Sequence, residues 1–216
     1  MPKITEVYDK YNIDKMLLNH QLRVAAVAKL VCDNFTKPVD TATVITACLL
    51  HDMGNILKYD FSQPGDWYQP KGKEYWRQVQ KAVAAKYNSN DEHEVTLKIA
   101  KELKVSRAVL DCIESIDFGR VIETYSGSKL EPKICSYADL RVTPLGVVSL
   151  HERLDEGARR YKNRPDKWLS SDIAAKIHQA CFDNEAFISR HCRLKLSDIT
   201  DELAAPIAEQ LKAYEI

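Results

Sequence analysis

An apolar helical segment that ends in a His-Asp pair organises our interpretation of this sequence. It reads Val44-Ile45-Thr46-Ala47-Cys48-Leu49-Leu50-His51-Asp52-Met53-Gly54. Asp40 precedes it as a good N-cap and Gly54 follows at a plausible C′ position, so the pattern predicts a short buried helix. Adjacent residues of a helix point about 100° apart, so His51 and Asp52 can bind one ion together only near a helix end. The alternative is a core histidine beside a helix-terminal aspartate.

The composition is typical of an all-α protein. The chain has only seven glycines in 216 residues, and it is rich in alanine, leucine, lysine and glutamate. Almost no segment alternates apolar and polar residues with the period of two that strands require. A chain of this length suits one domain with a sizeable core. We therefore predict an all-α fold.

Charge and cysteine usage narrow the choice of partner and compartment. Lysine plus arginine equals aspartate plus glutamate, 31 against 31, so bulk electrostatics favour neither nucleic acid nor an anionic membrane. No apolar run approaches the about 20 residues of a membrane helix, and the first residues lack a signal-peptide core. The six cysteines form no Cys-x-x-Cys pair, which is typical of buried thiols in a reducing compartment. We expect a cytoplasmic protein without a membrane partner.

A second histidine lies on the inward stripe of an earlier predicted helix. The stripe has steps of four and three residues and consists of Leu17, His20, Val24, Val27 and Val31. A lone histidine on such a stripe is usually a hydrogen-bonded core residue, and it becomes a ligand only where other ligands converge. His20 is therefore a candidate metal ligand only if other ligand side chains converge on it.

An acidic residue stands on the buried stripe of a later helix that starts near Pro132. The stripe is formed by Cys135, Ala138, Asp139 and Val142. Aspartate is rarely buried unless it is paired or bound to a metal. We take Asp139 as a candidate ligand, with a salt bridge, for instance to Arg141, as the alternative.

A third histidine is predicted in the first turn of a helix that runs to Leu103. The segment Asp91-Glu92-His93-Glu94 has the form of a capping box, with Asp91 as N-cap and Glu94 reaching back. The positive end of the helix dipole favours both a neutral imidazole and a bound anion at this position. The alternative is an exposed first-turn histidine without a function.

A long loop is predicted from Asn55 to Lys73, after the His-Asp pair. It contains the aromatic residues Trp67 and Tyr68. Loops of this length within compact domains are more often functional than idle. The two aromatic residues are candidates for stacking a base, although such side chains more often anchor a loop.

Taken together, these residues resemble the HD-domain superfamily of metal-dependent phosphohydrolases, whose pattern is a histidine, a His-Asp pair and a distant aspartate on helices. The motifs that carry the resemblance are His20-Gln21-Leu22-Arg23-Val24-Ala25, Leu49-Leu50-His51-Asp52-Met53-Gly54 and Tyr137-Ala138-Asp139-Leu140-Arg141-Val142. It implies an HD-domain helical bundle in a single domain over residues 1–216. The metal-binding core would cover about residues 13–142, and a C-terminal helical extension, about 149–216, would complete the bundle.

The resemblance also implies an activity and a set of site residues. The activity is the hydrolysis of a phosphoester in a small metabolite, commonly a nucleotide, with a water activated by a metal ion. The ligand set of two imidazoles and two carboxylates suits one divalent transition metal ion, namely Mn, Fe, Co, Ni or Zn. The expected roles are: metal ligands His20, His51, Asp52 and Asp139; catalytic residues His93 and Asp52; phosphate-neutralising residues Arg23, Lys58 and Arg141.

Two departures from the superfamily pattern bear on the mechanism. His93 is the only histidine between the His-Asp pair and Asp139, which favours a mononuclear over a dinuclear site. Asn55-Ile56-Leu57-Lys58 stands where mononuclear nucleotidases often carry a water-activating glutamate. The general base is therefore open among Asp52, Glu92 and a second bound water.

There are two alternatives to an enzyme: a non-catalytic metal- and ligand-binding sensor module, and a purely helical scaffold. The sequence also leaves open whether the chain forms a homo-oligomer.

Overall fold

The structure, a computed structural model, describes residues 2–62, 68–160 and 171–216 and is predominantly helical. The all-α prediction is therefore confirmed. The helices are α1 (Ile4–Lys10), α2 (Lys15–Asn34), α3 (Thr41–Leu50), α4 (Lys73–Tyr87), α5 (Glu92–Glu102), α6 (Arg107–Ser115), α7 (Val121–Ser126), α8 (Leu130–Asp139), α9 (Leu150–Arg160), α10 (Ser171–His191) and α11 (Asp201–Leu211). Short 3-10 helices cover Asn55–Lys58, Phe118–Arg120 and Leu196–Asp198, and a hairpin pairs β1 (Val142–Thr143) with β2 (Gly146–Val147).

Helix α3 is the buried centre of the fold, packed against α2, α6 and α8. Asp40 caps its start, because the Asp40 Oδ1 atom accepts a hydrogen bond from the Thr43 backbone at 3.1 Å. Val44, Cys48 and Leu49 have no exposed surface. The apolar run thus forms the short buried helix that the sequence predicts.

Helix α2 supplies the second wall of the core. The Asp14 carboxylate caps it by accepting hydrogen bonds from the backbone of Met16 at 2.9 Å and of Leu17 at 3.1 Å. Val24, Val27 and Val31 on the predicted stripe are fully buried. Because His20 lies on the same stripe, α2 carries its imidazole toward the core.

Gly54 has a different role from the one predicted. It does not adopt the left-handed C′ conformation, since its φ is −93°, and α3 already ends at Leu50. A Cβ atom on Gly54 would lie 2.2 Å from the Glu92 carbonyl oxygen and 3.0 Å from the Thr96 backbone nitrogen. Glycine is needed here because the turn after α3 lies directly against the first turn of α5.

The start of α5 is only partly as predicted. Asp91 is its N-cap, with Oδ1 accepting from the Glu94 backbone at 2.7 Å. The reciprocal half of the predicted capping box is wrong, because the Glu94 carboxylate accepts from the Ser89 hydroxyl instead. The Asp91 backbone donates to Ser89 Oγ at 3.1 Å. His93 nevertheless lies in the first turn, as expected.

The segment after the His-Asp pair is more ordered than a plain loop. Its first residues form the 3-10 helix Asn55–Lys58, where the sequence suggested irregular backbone. Gln80 Nε2 fixes this helix by donating to the carbonyl oxygens of Ile56 at 2.8 Å and Tyr59 at 3.1 Å. Trp67 lies outside the described residues. The carbonyl oxygen of Tyr68 accepts from the Trp76 indole at 3.1 Å, and base stacking by the two predicted aromatics stays a prediction.

The C-terminal half closes the structure around α2 and α8. Helix α11 packs on α2, while α10 packs on α7, α8 and α9. The proposed division between a core and a C-terminal extension stays a prediction. Within the part of the chain that the structure describes, no helix is both long enough and apolar enough to cross a membrane.

Candidate metal centre

Three segments that are distant in sequence bring four side chains to one place. His20 comes from the second turn of α2, His51 and Asp52 follow the end of α3, and Asp139 is the last residue of α8. His20 Nε2 lies 3.1 Å from Asp139 Oδ1 and 3.8 Å from Asp52 Oδ2. His51 Nε2 lies 3.4 Å from Asp139 Oδ1 and 3.6 Å from Asp52 Oδ2. The convergence expected from the sequence is therefore found.

The hydrogen bond of His51 defines which of its ring nitrogens is free. Nδ1 lies 2.7 Å from the carbonyl oxygen of Cys48, so Nδ1 carries the proton and donates it to that carbonyl. In the neutral ring Nε2 then carries a lone pair. This atom is buried and has no hydrogen bond of good geometry to any described residue, although two carboxylate oxygens lie nearby. A ring nitrogen between two carboxylate oxygens must either carry a proton or face a metal ion.

The electrostatics of the cluster favour positive charge. Burial lowers the pKa of His51, but the charge of Asp52 and the contact with Asp139 outweigh it and raise the pKa to about 10. Burial raises the pKa of Asp139, but the nearby imidazoles of His20 and His51 outweigh it and hold this pKa well below its usual range. The C-terminal ends of α3 and α8, which carry negative partial charge, also meet here. In the absence of a metal ion, a proton takes the place of the cation.

The donor set could hold a metal ion. His20, His51 and Asp52 each place a ligand atom within 4.8 Å of the others. Asp139 Oδ1 adds a carboxylate oxygen close to both imidazoles. Mixed nitrogen and oxygen ligands suit Mn, Fe, Co, Ni or Zn better than Ca. The side chains of His20 and Asp52 are 15% and 24% exposed, so the cluster opens toward solvent on one side.

Two residues that the sequence interpretation missed hold Asp52 in place. The fully buried Gln21 accepts a hydrogen bond from the Asp52 backbone through Oε1, at 3.3 Å. Asn55 Nδ2 donates to Asp52 Oδ2 at 3.0 Å. No motif indicates these contacts, because they depend on where the turn after α3 lies relative to α2.

His93 lies on the helix that packs against this turn. The backbone nitrogen of Gly54 donates to Thr96 Oγ1 at 2.9 Å, one turn further along α5. His93 Nε2 is a buried atom that finds no hydrogen-bond partner among residues 2–62, 68–160 and 171–216. Its catalytic role stays a prediction.

The side chains predicted to neutralise phosphate charge differ in whether a substrate could reach them. Lys58 Nζ lies 2.8 Å from Glu92 Oε1, and the Lys58 side chain is 44% exposed. Arg23 Nε lies 3.1 Å from Asp201 Oδ1 at the start of α11. Both side chains reach the surface, and each has a carboxylate partner in this structure.

Arg141 is not available to a substrate. It is only 3% exposed, and its guanidinium donates to the carbonyl oxygens of Leu196 and Ile199, each at 3.1 Å. It also donates to the Val148 carbonyl oxygen and the Tyr137 hydroxyl. The predicted phosphate-binding role of Arg141 is corrected, because its donors are used within the protein, by Tyr137 on α8, by Val148 after β2 and by Leu196 and Ile199 before α11. The salt bridge considered between Arg141 and Asp139 is likewise replaced by the contacts of Asp139 with the two histidines.

The fold and the cluster together define an all-α protein with a group of histidine and aspartate side chains that could hold a metal ion. A family model described as the HD domain matches residues 17–140, which is more than half of the chain and includes all four clustered residues. The chain therefore belongs to the HD-domain family, whose members are in general metal-dependent hydrolases. Neither a curated protein nor a solved structure matches the chain.

Proposed function

We propose that this protein is a metal-dependent phosphohydrolase that cleaves a phosphoester in a small metabolite, with nucleotides as the substrate class. The observation that carries the proposal is the position of the buried His51 Nε2 atom, which lies 3.6 Å from Asp52 Oδ2 and 3.4 Å from Asp139 Oδ1. Its orientation suits a metal ligand, and His51 Nδ1 is already occupied by the Cys48 carbonyl. Membership of the HD-domain family supports the reaction class.

The proposed ligands are His20, His51, Asp52 and Asp139, and we propose a mononuclear centre. When bound, a divalent ion would lower the pKa of a coordinated water and polarise a phosphoryl oxygen. Mn, Fe, Co, Ni and Zn are the candidate ions, in keeping with the donor set.

The protein's own groups would bind the phosphate and move the protons. His93 lies in the first turn of α5, where exposed backbone amides and the helix dipole favour an anion. Its Nε2 could hold the phosphate or protonate the leaving oxygen. Asp52 and Glu92 are the candidates to accept the proton of the attacking water. Lys58 and Arg23 would neutralise phosphate charge by exchanging their present carboxylate partners for it.

A sensor module is the second candidate, and one specific observation favours it. The 3-10 helix Asn55–Lys58, which begins two residues after the His-Asp pair, contains no acidic residue to activate water. Lys58 instead pairs with Glu92, which reduces the freedom of that carboxylate to act as a base. Such a module would bind the metal and a phosphorylated ligand without turnover.

Two assays separate these candidates. Metal analysis of protein purified without added ions, compared with His51→Ala, tests the centre itself. His151→Ala is the matched control, since His151 also lies 3.6 Å from an aspartate but is 75% exposed. A screen of nucleotides and phosphomonoesters with Mn, Co, Ni or Mg then tests turnover. Phosphate release that His51→Ala abolishes and His151→Ala preserves supports the enzyme, whereas nucleotide binding without release supports the sensor.

A further inference from the structure

One carboxylate oxygen of Asp52 contacts both imidazoles and a third group. Asn55 Nδ2 donates to Asp52 Oδ2 at 3.0 Å. The same oxygen lies 3.6 Å from His51 Nε2 and 3.8 Å from His20 Nε2. The amide of Asn55 therefore occupies part of the hydrogen-bonding capacity of an atom that faces the centre of the cluster.

The chemistry of the pair fixes the orientation of this amide. An ionised carboxylate only accepts hydrogen bonds, so the Asn55 nitrogen and not its oxygen must face Asp52. The Asn55 backbone nitrogen also donates to the Asp52 carbonyl oxygen at 3.0 Å, which keeps the two residues in one tight turn. Asn55 Oδ1 is buried and has no partner within the described ranges.

Other residues hold the 3-10 helix that carries Asn55. Gln80 donates to the carbonyl oxygens of Ile56 and Tyr59. The Tyr59 hydroxyl donates to the Asp14 carboxylate at the start of α2. The backbone of this helix is thus anchored independently of the Asn55 side chain, whose described hydrogen bond is the one to Asp52.

We propose that Asn55 is a positioning residue of the metal centre. By occupying one lone pair of Asp52 Oδ2, its amide orients the carboxylate so that the remaining lone pairs face the two histidines. The inference rests on the proposed function, because it takes the cluster to be a metal centre. Loss of a hydrogen-bonding partner of a ligand typically weakens metal affinity 10- to 100-fold.

The test compares two variants that affect the same 3-10 helix differently. Asn55→Leu removes the donor at similar volume, whereas Gln80→Leu removes bonds that anchor the helix and leaves the Asn55 amide in place. Titration calorimetry with Mn²⁺ measures affinity, and thermal melting of both variants measures folding. We expect the Kd of Asn55→Leu to rise at least about tenfold while that of Gln80→Leu stays within about threefold of the parent value.

Two affinity results would overturn the inference, and a third result would separate it from the proposed function. Unchanged Mn²⁺ affinity in Asn55→Leu overturns it, and so does an equal loss in Gln80→Leu, since the effect would then pass through the 3-10 helix. If the parent protein binds no Mn²⁺, the proposed function fails on its own account. Crystal structures of the metal-free parent and Asn55→Leu then decide the inference: an Asp52 carboxylate turned away from the imidazoles supports it, and an unchanged rotamer overturns it.

Discussion

The Nδ1 atom of His51 lies 2.7 Å from the carbonyl oxygen of Cys48, three residues earlier at the end of α3. This contact fixes the proton on Nδ1 and leaves Nε2 directed at Asp52 and Asp139. The helix end thus does two things that a helix interior could not do. It supplies a carbonyl oxygen without an intrahelical partner for the ring, and it lets two adjacent side chains reach the same cluster.

Asp52→Ala should abolish retention of the metal. Removing one of two carboxylates takes away a ligand and half of the negative charge that offsets the burial of a cation. We expect the variant to be folded but to contain no transition metal by elemental analysis, and to release no phosphate. The exposed Asp155→Ala serves as its control. Metal content equal to that of the parent protein would contradict the ligand assignment.

His93→Ala should separate metal binding from turnover. The residue lies on α5 and not among the four clustered ligands, so the metal content should stay unchanged. If His93 protonates the leaving oxygen, the turnover rate kcat should fall by about 10²- to 10⁴-fold. Steady-state kinetics with the best substrate measure the change. Loss of the metal in this variant would instead make His93 a ligand.

Arg141→Ala should affect stability rather than substrate binding. The buried guanidinium donates hydrogen bonds to carbonyl oxygens of the C-terminal segment. Its removal leaves several buried acceptors without donors. We expect the free energy of unfolding to fall by about 3 kcal/mol or more in urea titrations. Arg107→Ala, at a side chain that is 73% exposed, should change it by less than about 1 kcal/mol.

Arg141→Lys should not restore this stability, because an ammonium cannot reproduce the planar fork of donors. The KM of folded Arg141→Ala, measured below its melting temperature, should match that of the parent protein. A raised KM with unchanged stability would instead support a phosphate-binding role for Arg141.

Gly54→Ala should destabilise the junction of α3 and α5. The added methyl group would lie 2.2 Å from the Glu92 carbonyl oxygen, so the backbone must move. We expect a loss of about 2–3 kcal/mol in the free energy of unfolding. Gly127→Ala is the matched control, since its Cβ would lie 3.4 Å from the nearest atom and should change stability by about 0.5 kcal/mol at most. Equal stability of the two variants would refute the close-approach explanation.

Periodicity made a large part of the fold and of the cluster predictable. The stripes of α2 and α8 place His20 and Asp139 on inward faces, and the end of the apolar run at His51 marks the end of α3. The direction of a side chain on a helix follows from its spacing in the sequence. The inward direction of these residues can therefore be predicted without knowing how the helices pack.

Contacts between segments could not be predicted in this way. The role of Gly54 depends on α5 lying against the turn after α3, and its local context suggested only a C′ glycine. Arg141 lies two residues after Asp139 in sequence, yet its donors reach residues more than fifty positions later. The role of the Asn55 amide can likewise be recognised only once the position of the Asp52 carboxylate is known.

Anomalous diffraction from crystals grown with Mn²⁺ tests the central claim most directly. We predict a single anomalous peak within bonding distance, about 2.0–2.3 Å, of Nε2 of His20, Nε2 of His51 and carboxylate oxygens of Asp52 and Asp139. His51 Nδ1 should remain bonded to the Cys48 carbonyl oxygen. The absence of a peak between these four side chains, with Mn²⁺ present in the crystal, would contradict the account.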